Sequence, residues 1–589
     1  MMYSKLPTLP TERRVVETFR GYNHNLRIAN GEWYTTTNLT SNYYPVLANR
    51  GKRGRLYGTD APSGMVACDS LCYTDGTNIV VNGYPVNLGL STKADMLPKK
   101  LINMGGYIVI LPDKKWINTL DLNEHGNIEA KWESYTDVNV ELCTLDGSSY
   151  TSPTVSSSEP TSPSNMDLWI DTSTTPHQLK QFSETSGMWV SIPTTYVKIV
   201  ATGIGMAFEQ YDGVTLSGFK DDALQDLNGS HVIWDKGDDH IVVIGMIDLA
   251  VTQPIEDGMV IVERKMPKLD YVTEAGNRLW GCHYGIANNG QVVNEIYASK
   301  LGDFKNWECF MGISTDSYVA SLGTDGRFTG AISLGGYPLF FKENVLHKVY
   351  ISSSGAHQIQ DTVCRGVARG SENSLAIVNE RLYYKSRTGV CVYDGSLPEE
   401  VSYAFGDVRY SNAVGGSIGN KYYISMQDDT GAYHLFVLDT VKNIWHREDY
   451  LRVKSFCECR GELYAIDADT DYILAMTGSA DEADTSYEDQ ITWEAESGDL
   501  LLDNPDAKYI QRLLIRLSAA KNTTIRVWAE YDTIPEWELI GEYHGNTLGS
   551  VSLPVRPRRC DHLRIRLEGK GDVRLYSIAK YIIGGSDKP

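Results

Sequence analysis

Arg381-Leu382-Tyr383-Tyr384, Lys421-Tyr422-Tyr423-Ile424 and Glu462-Leu463-Tyr464-Ala465 are three copies of one short β-pattern, spaced about forty residues apart. A polar turn precedes each copy: Asn379-Glu380, Gly419-Asn420 and Arg460-Gly461. A second strand follows and ends in a small acidic corner, as in Val390-Cys391-Val392-Tyr393-Asp394-Gly395 and Leu435-Phe436-Val437-Leu438-Asp439. Several short strands per period of this length are what one blade of a β-propeller requires. The expected fold is therefore all-β, with a propeller as its main body.

Upstream, the period returns at Asn277-Arg278-Leu279-Trp280-Gly281 and Tyr337-Pro338-Leu339-Phe340-Phe341, and earlier still at Ser70-Leu71-Cys72-Tyr73 and Gly106-Tyr107-Ile108-Val109-Ile110. Two early blades and five later ones give about seven; lead-in strands that complete a blade by circular closure would make it six. Between the two arms the period breaks. A stretch rich in Ser, Thr and Pro, 147–165, cannot supply a packed core and reads as a flexible tether. After it, Asp167-Leu168-Trp169-Ile170-Asp171, Leu179-Lys180-Gln181-Phe182 and Gly187-Met188-Trp189-Val190 read as a three-strand meander carrying two tryptophans.

The expected organisation is an extended lead-in over 1–60, first blades over 61–128, tether and Trp module over 129–196, and an inserted β-barrel or sandwich over 197–265. The remaining blades occupy 266–485, and a C-terminal β-sandwich occupies 486–589. In that last segment Leu513/Ile515/Leu517, Ile525/Val527/Ala529 and Leu563/Ile565/Leu567 alternate with polar residues, so one face is apolar. The other face is rich in arginine, including Arg556, Arg558 and Arg559. It reads either as a solvated surface or as a contact for an acidic partner or second subunit.

The chain has 589 residues and a formal charge of −21, so diffuse attraction to nucleic acid or anionic membrane is not expected. An acidic wall would nevertheless suit a conduit through which a polyanion must slide without sticking. Tyrosine is used 36 times against 12 Phe and 12 Trp, as suits strands that bury a ring while the hydroxyl finds a partner. No run reaches the roughly 18 to 20 apolar residues of a membrane span, and 1–20 lacks the apolar core of a secretory signal. The ten cysteines lack zinc-site spacing and read as free thiols of a protein folded in a reducing cytoplasm, with Cys457 and Cys459 both buried.

Chemistry is sparse in the sequence. It holds no phosphate loop, zinc-protease helix or nucleophile elbow, and no cofactor or metal is expected. Asp467-Ala468-Asp469-Thr470-Asp471 starts like a calcium loop but lacks its glycine and closing glutamate. Trp169 and Trp189 are the candidate carbohydrate or partner contact; the alternative is that they form the core of their small module. No catalytic residues are expected, and the protein is expected not to be an enzyme.

The lead-in residues Phe19-Arg20-Gly21-Tyr22, Asn38-Leu39, Tyr44-Pro45-Val46-Leu47 and Arg50-Gly51-Lys52-Arg53-Gly54, with Asn277-Arg278-Leu279-Trp280-Gly281 and Ile296-Tyr297-Ala298-Ser299, resemble the propeller-bearing tail nozzle, or stabilisation, proteins of short-tailed bacteriophages. The Trp169/Trp189 segment resembles a small module frequent in phage tail proteins, and 553–562 is similar to tail proteins of phages infecting Gram-positive hosts. The resemblance implies a structural virion protein, assembled in the host cytoplasm as a homohexameric ring in the tail. Its implied partners are further copies of itself, portal and adaptor proteins, and tail fibres or a needle, with double-stranded DNA passing through without sequence-specific binding. The rival readings are a glycan-binding or glycan-hydrolysing propeller used in host receptor recognition, and an intracellular scaffold of the host.

Overall fold

The structure is a computed structural model that describes residues 11–287, 290–354, 356–502, 508–545, 548–554 and 559–584. The chain is nearly all-β, and its helical turns are short 3-10 segments. Among the described residues no helix is long and apolar enough to cross a membrane. The chain divides into two compact units, Met1–Leu101 with Phe340–His347 and Asp361–Pro589, and Ile102–Leu339 with Lys348–Gln360.

The repeated pattern builds four-stranded antiparallel meanders, the blades of a β-propeller. Their turns follow from local chemistry. Val378 pairs with Arg381 around Asn379 and Glu380, and Cys459 pairs with Glu462 around Arg460 and Gly461. Both central residues of each turn have positive φ, 48° and 64° in the first and 51° and 79° in the second. Such two-residue turns match the twist of the strands they join.

In the first unit, blades run over Ala376–Glu400, Tyr410–Asp449, Val453–Ala475 and Pro62–Asn87. Strands in the middle of these sheets are buried along their length, because both faces of a sheet meet a neighbour. Leu382, Tyr383 and Tyr384 are all buried, as are Tyr422, Tyr423 and Ile424. The hydroxyls find partners, Tyr422 donating to the Ser374 carbonyl at 2.7 Å. Neighbouring blades approach so closely that a methyl group on Gly416 would lie 2.3 Å from Cβ of Phe456.

The blade over Val453–Ala475 has only three strands from its own segment. Its fourth is Gly54–Leu56, paired antiparallel with Ile473–Ala475. A lead-in strand thus completes this blade, and the chain continues into the blade that begins at Pro62.

The lead-in is not merely extended, as the sequence suggests. Thr11–Val16, Leu39–Thr40 and Leu47–Asn49 enter one sheet with Lys508–Ala519 and Val573–Gly584. Thr35–Thr37 enters a second with Thr492–Glu496, Leu563–Lys570, Thr523–Tyr531 and Glu538–Gly545. The two sheets form a β-sandwich around Trp33, Leu47, Trp493, Ile515, Val527 and Leu567. The domain expected over 486–589 is therefore built from both ends of the chain. Apart from Thr11–Val16, these lead-in strands have only two or three residues, too short to show a period.

In the second unit, the blades over Lys100–Asn127 and Tyr271–Ser321 share a core of Ile102, Val109, Met266, Leu279, Phe304 and Trp307. An eight-stranded sheet is inserted between them in sequence, in the order Ala130–Glu133, Ile261–Arg264, Gly213–Ser217, Gly229–Gly237, His240–Ile244, Tyr196–Val200, Val138–Cys143, Val251–Gln253. Trp132 and Val262 at one end of that order share a core with Val138 and Val140 near the other, so the sheet is rolled into a barrel. The barrel begins earlier than the expected 197–265. Ala130–Glu133 and Val138–Cys143, placed with the tether by the sequence, are barrel strands; Val140 and Leu142 pair with Ile199 and Val197. The tether itself contains a strand, Thr154–Ser156, parallel to Leu168–Asp171.

Candidate functional site

In the Trp module, the Trp169 and Trp189 rings meet edge to face at 5.5 Å, and Phe182 meets Trp189 at 5.4 Å. Trp169 is buried, donates to the Ser156 carbonyl at 3.0 Å, and lies 4.8 Å from the Lys180 ammonium, which pairs with Asp171 at 2.8 Å. The pair therefore forms the core of its module. Of the arginines expected to make a subunit or partner contact, Arg556 and Arg558 lie outside the described residues, and Arg559 is exposed opposite Tyr509. The calcium-like loop folds on itself: Asp467 accepts from the Asp469 amide at 3.0 Å and the Thr470 hydroxyl at 2.6 Å, while Asp471 pairs with Lys454. Among the described residues no group of three or more His, Cys, Asp or Glu is placed to hold a metal ion.

The arginine-rich outer face of the sandwich is more mixed than its sequence suggests. Strand alternation turns Trp493, Ala495, Leu563, Ile565 and Leu567 inward and sends Glu494, Glu496, Arg564, Arg566 and Glu568 outward. Arg564 pairs with Asp499 at 2.6 Å, Arg566 with Glu568 at 3.0 Å, and Arg526 with Glu542 at 3.0 Å. Much of the positive charge is thus matched within the chain. Glu494 stands directly opposite Glu568 on the neighbouring strand. Such a pair has Cβ atoms about 4.5–5.5 Å apart. Glu568 accepts from the Trp528 indole at 2.9 Å, and Arg566 lies 4.5 Å from the Trp537 ring centre. Burial raises the Glu494 pKa, with Arg566 opposing and Glu568 adding to the shift. The two carboxylates open onto a cavity of about 460 Å³ that Thr37, Thr492 and Lys570 also line. Sequence reasoning missed this pair, because cross-strand register is not written in either strand.

A larger cavity, about 820 Å³, lies beside the lead-in of the first unit, lined by Arg50, Lys421, Asp439, Lys442, Asp572 and Arg574 among others. An ion-pair network surrounds Arg50. This side chain makes two contacts of 2.8 Å to Glu488, and Arg53 reaches Glu448 at 2.8 Å and Asp449 at 2.5 Å. Burial works against the charge of Asp449, but Arg53 and Arg50 outweigh it and hold its pKa below the ordinary value. In the same blade, burial pushes the His446 imidazole down to about 3, with Lys421 adding to that shift, and neither ring nitrogen has a hydrogen-bond partner. The lead-in arginines are visible in the sequence as part of a motif; their carboxylate partners are not.

No family model matches the chain, and no curated protein matches it. Among solved structures, an exo-β-1,3-galactanase from Phanerochaete chrysosporium is similar at 8% identity and a TM-score of 0.22, covering 53% of this chain and 95% of its own. An arabinoxylan arabinofuranohydrolase of glycoside hydrolase family 43 from Bacillus subtilis is similar at 9% identity and a TM-score of 0.16, covering 52% of this chain and 94% of its own. These neighbours are glycoside hydrolases, so the expectation that the protein is not an enzyme is withdrawn. Likeness at this level assigns no residue of this chain to their chemistry.

Proposed function

We propose that this chain is a propeller-bearing subunit of a bacteriophage tail nozzle, assembled in six copies around the path of the exiting genome. The observation that carries this reading is where the family-like residues lie. Gly21, Arg50 and Arg53 of the lead-in motif fasten the N-terminal segment to the blade over Tyr410–Asp449, Gly21 against Ile444 and Trp445 and both arginines against Asp449. Arg278 of the second motif is buried and donates to the carbonyls of Ser299 and Ser314, each at 2.8 Å. The resemblance therefore falls on residues that determine the fold. A stiff, acidic body suits a duct for DNA, because like charge prevents trapping of the polyanion. Portal, adaptor, fibre or needle proteins would be its neighbours. Mass photometry and negative-stain images of the purified chain test the proposal. Six-copy rings are expected, and a chain that stays monomeric at micromolar concentration while cleaving a polysaccharide would overturn it.

A second reading, glycan binding or hydrolysis in receptor recognition, is favoured by the Glu494/Glu568 pair beside Trp528 and Trp537. Paired carboxylates about 5–9 Å apart are what glycoside hydrolysis uses. Glu494→Gln and Glu568→Gln, assayed on a glycan array and for release of reducing ends, test this reading. Signals equal to those of the unmodified chain would sink it.

A further inference from the structure

Four of the ten cysteines gather where two blades of the first unit pack together. Cys68 and Cys72 flank the hairpin turn between Pro62–Ala67 and Leu71–Asp75, in which Ala67 pairs with Leu71 and Val66 with Cys72. The Cys68 amide donates to the Ser70 carbonyl at 3.0 Å and closes the turn. The Cys72 thiol donates to the Ser70 carbonyl at 3.7 Å, and Cys68 stands two residues after Val66, the cross-strand partner of Cys72. Cys72 is fully buried, whereas Cys68 is partly exposed. Cys457 and Cys459 lie on the adjoining strand Val453–Cys459 and share a hydrophobic cluster with Ala67 and Leu71. Cys459 is buried as the sequence suggests, but Cys457, at the edge of the same cluster, is only half-buried. Among the described residues no such group is arranged as a metal site. What remains open to these sulfurs is thiol chemistry.

We propose that Cys68 and Cys72 form a reversible dithiol–disulfide site, oxidised by low-molecular-weight disulfides such as oxidised glutathione. Cys68 is the entry thiol because it alone of the pair is accessible. The neighbouring Cys72 thiol holds the Cys68 pKa above its ordinary value, so the Cys68 thiolate forms as a minor species. Loss of the Cys68 proton to solvent puts the thiolate on the accessible sulfur. This thiolate attacks one sulfur of the oxidant, forming a mixed disulfide and releasing one glutathione thiolate. Cys72 then loses its proton, attacks the Cys68 sulfur and expels the second glutathione thiolate. The two protons leave on the two glutathiones; the protein is oxidised by two electrons and the oxidant is reduced by two. Because the closed loop is short, the bond would fix the turn more than it stabilises the fold.

The test treats the full chain with oxidised glutathione, counts free thiols under denaturing conditions, and maps peptides without reduction. The expected result is loss of two thiols per chain, a peptide linked through Cys68 and Cys72, and full reversal by dithiothreitol. Cys68→Ser, at the exposed member, should give no linked peptide and leave Cys72 unmodified. A stable glutathione adduct on Cys68 of the unmodified chain, a link through Cys457 or Cys459 instead, or all thiols still free would each overturn the proposal.

Discussion

The Arg53 guanidinium bridges two neighbouring carboxylates, Glu448 at 2.8 Å and Asp449 at 2.5 Å, with its own side chain 4% exposed. It thereby ties the lead-in to the last strand of the blade over Tyr410–Asp449. Removing one member of a buried ion pair strands its partner and typically costs about 3–5 kcal/mol. Arg53→Ala should lower stability in urea denaturation by that order, because two carboxylates lose a counter-charge together. Lys131→Ala, at an exposed pair with Glu133, should leave stability nearly unchanged. Equal effects at the two sites would refute the ranking.

Gly21 has φ +80°, and a Cβ there would lie 2.2 Å from Cγ2 of Ile444 and 2.4 Å from the Trp445 carbonyl oxygen. Gly21→Ala should therefore destabilise by more than about 1 kcal/mol, since it adds a clash with backbone to an unfavourable φ. Gly76, at φ +59° with open space around it, isolates the φ contribution alone. Thermal unfolding should show the larger drop for Gly21→Ala; an equal drop for Gly76→Ala would mean that the close approach costs nothing.

His446 couples the blade to pH. Burial and the nearby Lys421 and Lys442 lower its pKa from 6.5 to about 3, with Asp439 opposing. On acidification the unfolded chain binds the proton first, so this contribution to stability is complete above 6.5 and is lost as pH falls toward 3. By about pH 4.5 the loss is about 3 kcal/mol. His446→Leu should shrink the difference between urea stabilities at about pH 7 and about pH 4.5 by that order. A difference unchanged by the substitution would place the acid sensitivity elsewhere.

Trp169 holds the small module together through Trp189 and the Ser156 carbonyl. Trp169→Ala should cost the module about 3–5 kcal/mol. Hydrogen exchange should then accelerate across 154–191. The barrel strands Tyr196–Val200 and His240–Ile244 should keep their protection, because they pair with each other. Loss of protection across all of these strands together would show that module and barrel unfold as one.

The blade pattern, the alternating strands of the sandwich and the Trp module were all legible in the amino-acid sequence. Each is written in residues close together in the chain: turn pairs such as Asn379-Glu380, and the period-two alternation of Leu563, Ile565 and Leu567. The remainder came from long-range packing. Folding in three dimensions set Gly54–Leu56 as the closing strand of a distant segment's blade, gave Arg53 its carboxylates, placed Glu494 opposite Glu568, and gathered Cys68 and Cys72 beside Cys457 and Cys459. These are pairings between residues far apart in the chain, fixed by register and packing, and neither partner's local sequence names the other.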